Sequence, residues 1–172
     1  YKVTGVQTCA LPIYSFVAFE SAEKLLRSRL DRAPADADPA LDLARLACRA
    51  GRWELVPQAA DAALKVFDTD PTTATSKAGR RRLFELLLDA TQSGLAPKGA
   101  QKSRASLQAS VALQIVDRMA QCVDSPAQRV EQLLLLAKVR DFAGSAPEAI
   151  EALRSHGFVV DPGGIRAMGL RL

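Results

Sequence analysis

From residue 15 to residue 157, apolar side chains recur at steps of three and four, and proline or glycine interrupts the pattern at short intervals. Steps of three and four place successive side chains on one side of a 3.6-residue turn. Such spacing commits the chain to short amphipathic helices, each with an apolar stripe that another helix must cover. Composition points the same way. Ala and Leu supply roughly three residues in ten, a strong helix-favouring bias. Aromatic residues are only 5% of the chain, and β-branched residues thin out after the first stretch, which excludes an all-β sandwich or barrel. With 48% apolar and 24% charged residues the chain is not disordered throughout. Three cysteines do not make a disulfide scaffold. A chain of 172 residues can bury about 70% of its unfolded surface in one continuous core.

The pattern predicts a first helix over 16–32, with Phe19, Ala22, Leu26 and Leu30 inward and Leu25 widening the stripe. Asp38-Pro39 reads as an N-cap followed by proline at the first helical position, where its missing N–H costs nothing. The second helix then runs to Ala50, and Gly51 ends it by taking a positive φ. A third runs from about Glu54 or Pro57 to Phe67, with Pro57 in its first turn, because an interior proline would cost about 3 kcal/mol. Residues 68–79 (DTDPTTATSKAG) are small and polar and read as the longest loop. Further helices are expected over 82–93 (Leu83, Leu86, Leu87 and Ala90 inward), 106–123, 126–143 and 147–155.

Two segments superimpose: LDLARLACRAG at 41–51 and LLLAKVRDFAG at 134–144. In each, glycine follows alanine by seven places, Ala44 to Gly51 and Ala137 to Gly144. A second helix then brings alanine back, Ala59 or Ala60 in one and Ala149 in the other. Small residues let the paired helices approach closely while glycine turns the chain.

This arrangement resembles the tetratricopeptide family, with Ala44, Gly51, Ala63 and Pro71, and again Ala137, Gly144, Ala149 and Pro162, at its small, turn and terminating positions. Trp53 departs from the family's early aromatic position, and the first hairpin carries extra turn residues, so the repeats are degenerate. The resemblance implies an all-α, right-handed α-solenoid of antiparallel helix hairpins. The strings FESAEKLL, LARLACRAG, RVEQLLLLA and PEA also resemble helical regions appended to bacterial pyrroloquinoline-quinone-type β-propeller proteins. That likeness implies a piece of a larger chain and carries no cofactor residues here. Residues 3–13 (VTGVQTCALPI) resemble translated sequencing adapter at the edge of a metagenomic reading frame. The expected organisation is therefore a non-native or disordered leader over 1–14, a helical repeat domain over 15–157 and an irregular tail over 158–172.

Chemistry-bearing patterns are sparse. A formal net charge of +4 is small for this length. Arg80, Arg81 and Arg82 form one basic run, and Lys98, Lys102 and Arg104 a looser group. Neither is interleaved with the stacking aromatics of a nucleic-acid module, so the runs read as solvated helix and loop, and no nucleic-acid partner is expected. The one histidine, His156, is set for a helix end and cannot make a metal cluster or a triad alone. Cys48 and Cys122 lie on apolar helices without a C-x-x-C pattern and read as small hydrophobes. Glu148 with Glu151, and Glu131 with Asp141, read as solvated helix carboxylates. No glycine-rich phosphate loop occurs. No catalytic, cofactor-binding or metal-binding residue is assigned, and no stretch nears the roughly 18 apolar residues of a membrane-crossing helix.

Trp53 is the most informative residue. In a turn it either seals the seam between neighbouring helices or, beside Arg49 and Arg52, anchors a partner at an exposed edge. Arg49, Arg52 and Trp53 are thus the candidate contact residues. The sequence supports a non-enzymatic helical-repeat module for protein–protein interaction or scaffolding, with a protein or peptide partner. A structural or regulatory appendage of a β-propeller protein or enzyme is the alternative, and a nucleic-acid-binding repeat the weaker one. No compartment is specified; a cytoplasmic one is the default.

Overall fold

The computed structural model describes residues 10–95 and 107–158. Among these the chain is all-helical, in seven helices: α1 (Ala10–Arg32), α2 (Asp38–Ala50), α3 (Leu55–Thr69), α4 (Ala74–Gly94), α5 (Ala109–Ala120), α6 (Pro126–Phe142) and α7 (Ala146–Arg154). None of them is long and apolar enough to cross a membrane. α1 begins within the segment expected as leader, with Pro12 in its first turn, where a proline fits. The basic cluster at residues 98–104, the leader up to residue 9 and the tail from 159 lie outside the described residues.

Local chemistry sets the helix ends. Gly51 takes φ 69°, with its N–H on Cys48 O and the Arg52 N–H on Ala47 O. Gly144 (φ 82°) repeats this with Asp141 O and Arg140 O, and Gly157 (φ 83°) with Arg154 O and Leu153 O. All three are the same six-to-one and five-to-two closure, which satisfies carbonyls a helix end would otherwise strand. Ser125 starts α6 by accepting from the Gln128 N–H at 3.3 Å, ahead of Pro126. At α2 the expected cap shifts by one residue. Ala37 is the N-cap, and the Asp36 carboxylate accepts from the Asp38 N–H at 3.0 Å, since an Asx side chain reaches a backbone donor two residues on.

The largest correction falls on 68–79. α3 continues to Thr69 and α4 starts at Ala74, so most of the expected loop is helix. Thr73 caps α4, accepting from the Ser76 N–H at 3.2 Å and donating to Asp70 O at 3.1 Å, a contribution of about 1 kcal/mol. Gly79 lies directly on the Phe67 ring, where any Cβ would collide, so the glycine marks a close approach of α4 to α3.

Each helix packs on the next in sequence, and α2 also meets α4, α3 meets α5, and α4 meets α6. The main core draws on α2 through α6, with Leu41, Val56, Phe84, Leu87, Ile115 and Val139 among its fully covered members. Leu26 and Leu30 of α1 pack on Leu43, Ala44 and Ala59, while Leu133, Ala137, Ala149 and Leu153 join α6 to α7. Leu25, expected to widen the α1 stripe, is instead 63% exposed.

Candidate interaction cleft

α2 places Arg45, Cys48 and Arg49 three and four residues apart on one face, and α4 presents Arg82, Glu85, Leu86 and Asp89 at matching steps. Where these faces meet they enclose an open cleft of about 300 Å³. Its floor is Cys48 and Leu86, both half-buried against the main core. Its rim is charged. Arg45 pairs with Asp42 at 3.1 Å, Arg81 with Glu85 at 3.2 Å, and Arg82 reaches across to Asp38 at 3.3 Å. Arg49 and Asp89 complete the rim. An apolar floor inside a mixed-charge rim can hold a side chain of a bound segment while the rim fixes its register.

The three candidate contact residues separate. Arg49 lines the cleft. Arg52 stands over the Phe19 ring, 5.5 Å from its centre, tying the α2–α3 turn to α1 by a cation–π contact. Trp53 is 3% exposed and part of the main core, so the three do not form one exposed edge. Arg45, Arg82, Glu85, Leu86 and Asp89 were missing from the expected set. Their helical spacing is visible in the sequence, but the adjacency of α2 and α4 is not.

The basic run is spent on internal pairs. Arg80 binds the Asp68 carboxylate and donates to Gln121 O at 2.9 Å, which links the ends of α3 and α5 to α4. Arg118 of α5 holds Asp61 of α3 with two parallel bonds of 3.0 Å, and that carboxylate raises the guanidinium pKa further. His156 is exposed, its Nδ1 2.9 Å from Ala152 O and 3.2 Å from Ser155 Oγ. Glu131, Asp141, Glu148 and Glu151 are exposed. Among the described residues no group of three or more His, Cys, Asp or Glu could hold a metal ion.

Cys122 is buried, with its sulfur 3.5 Å from Arg118 O. Burial pushes the thiol up to about 12, with Arg80 opposing and Asp68 adding to the shift. The unfolded thiol releases its proton near 9 while the folded one keeps it, so the native state binds more protons between those values. Stability should therefore be unaffected by this group at neutral pH and fall as pH rises from about 9 to about 12. Urea unfolding across that window should show a steeper decline for the wild type than for Cys122→Ala. Equal slopes would mean the buried thiol does not carry the dependence.

Compared with protein-family models, with curated proteins and with solved structures, the chain finds no match.

Proposed function

We propose that this chain is a non-enzymatic helical-repeat module for protein–protein interaction or scaffolding, built from degenerate tetratricopeptide-like hairpins stacked as a right-handed α-solenoid. Its partner is a protein or peptide segment. The packing order supports the repeat reading: every helix touches its successor, and α2, α4 and α6 meet as one file while α3 meets α5 in another. So do the matched closures at Gly51 and Gly144 and the buried alanines at Ala44, Ala60, Ala137 and Ala149. Stacking of this kind lines up the helices of one file along a shared groove.

The α2–α4 cleft carries the functional reading, because it joins an apolar floor to charges of both signs on one file. Nucleic acid is a poor fit, since Arg80, Arg81 and Arg82 each already meet a carboxylate. A photo-crosslinking residue placed at Arg49, with Gln114 on α5 as the control position, tests this. The expected result is a saturable adduct with one cellular partner from position 49 and none from 114. That adduct should be lost when Arg82→Glu reverses the rim. Adducts of equal yield from both positions, or none from 49, would overturn the proposal.

A further inference from the structure

A second, larger cavity of about 640 Å³ lies where the start of α2, the end of α3 and the start of α4 converge, within the roughly 300–1,000 Å³ range of ligand pockets. Leu41, Val66, Phe67, Ala78 and Gly79 give it an apolar lining. Gly79 lets the Phe67 ring lie flat against α4 at the edge of the cavity, because a Cβ there would collide with the ring. Ser76, 8% exposed, also lines the cavity, and its bond to Thr73 uses the backbone N–H.

The rim is acidic. Asp36, Asp38 and Asp70 border the opening against one base, Arg82, which is itself paired with Asp38 at 3.3 Å. Among the described residues, Asp36 and Asp70 are bound by neutral donors alone, the Asp38 N–H and the Thr72 hydroxyl, each at 3.0 Å. Those bonds orient the carboxylates and leave their charge uncompensated. An occupant that brings aliphatic surface to the lining and positive charge to the rim satisfies both; an acidic one meets like charge at short range.

We infer that this cavity receives a basic, aliphatic segment of a partner protein, with a leucine-like side chain against Val66 and Ala78 and a neighbouring Lys or Arg on Asp36 and Asp70. The inference rests on the interaction-module reading and adds the chemistry of the partner. Arg82 borders both this cavity and the α2–α4 cleft, so one segment lying along α4 would cross the two.

The test uses two labelled peptides of equal length, one repeating Lys-Leu and one repeating Glu-Leu, titrated into the full chain. Binding is followed by fluorescence anisotropy and by methyl NMR shifts. The basic peptide should bind more tightly by about tenfold or more, shift the Leu41 and Val66 methyls, and weaken with added salt. The double variant Asp36→Lys/Asp70→Lys, checked for unchanged circular dichroism, should reverse the preference. Equal binding of both peptides, shifts at other methyls, or wild-type affinity in the double variant would overturn the inference. So would the same methyl shifts appearing with protein concentration alone, because a second copy of the chain would then be the occupant. The two readings fail separately: crosslinks from position 49 without a charge preference here sink only this inference, and the absence of crosslinks from position 49 sinks the interaction module.

Discussion

Replacing Trp53 with alanine is expected to destabilise the chain by about 3–5 kcal/mol, the usual cost of deleting a large buried aromatic. For a protein of this size that corresponds to a fall of roughly 6–20 °C in the thermal midpoint. Trp53 sits in the turn between α2 and α3 yet is 3% exposed, packed with the core that α2 through α6 share. Truncation leaves a cavity in that core, and the alanines the core contains are too small to fill it. Ala47, Ala60 and Ala63 are each fully covered already. Trp53→Phe keeps most of the apolar surface and should lose distinctly less. Circular dichroism is the suitable probe, because Trp53 is the one tryptophan and its fluorescence vanishes with it. A midpoint within 1 °C or so of wild type would place the indole outside the load of the core and restore an exposed-anchor role.

The glycine turns after α2 and α6 were readable because their demands are local. Gly51 and Gly144 need a left-handed backbone, and each alanine seven residues earlier needs only to be small; both constraints appear as residue identities. The start of α4 was not readable. TATSKAG at 73–79 holds too little apolar surface for a period, and its helix depends on the Thr73 cap, on Gly79 meeting Phe67, and on Arg80 reaching Asp68 and Gln121. The cap is local, but Phe67, Asp68 and Gln121 lie far from α4's start in the sequence or on other elements. The same holds for the cleft, where Arg45, Cys48 and Arg49 become a site only because α4 lies alongside. Of the candidate contacts, Arg49 lies on the cleft, whereas the choice between a sealed seam and an exposed anchor at Trp53 needed the positions of five helices.

Phe84 marks the same boundary within one helix and supplies the second large effect. In LFELLLDA at 83–90 the inward stripe was expected to run through Leu83, Leu86, Leu87 and Ala90. The observed face is Leu83, Phe84, Leu87, Ala90 and Thr91, with Leu86 half-buried at the cleft floor. A segment with apolar residues at nearly every position offers two stripes of almost equal quality, and periodicity cannot choose between them. Packing chooses: α4 is flanked by α3, α5, α2 and α6, and the face turned to all of them takes the larger side chain. Phe84 is 1% exposed, so Phe84→Ala should cost about 3–5 kcal/mol. Phe142, 53% exposed on α6, gives the internal comparison; Phe142→Ala should stay within about 0.5 kcal/mol of wild type. Leu86→Ala should fall between the two, because its side chain is only partly covered. Urea unfolding of the three variants reads the order directly. If Leu86→Ala cost more than Phe84→Ala, α4 would be rotated toward the stripe expected from sequence, and the cleft floor would be core rather than surface.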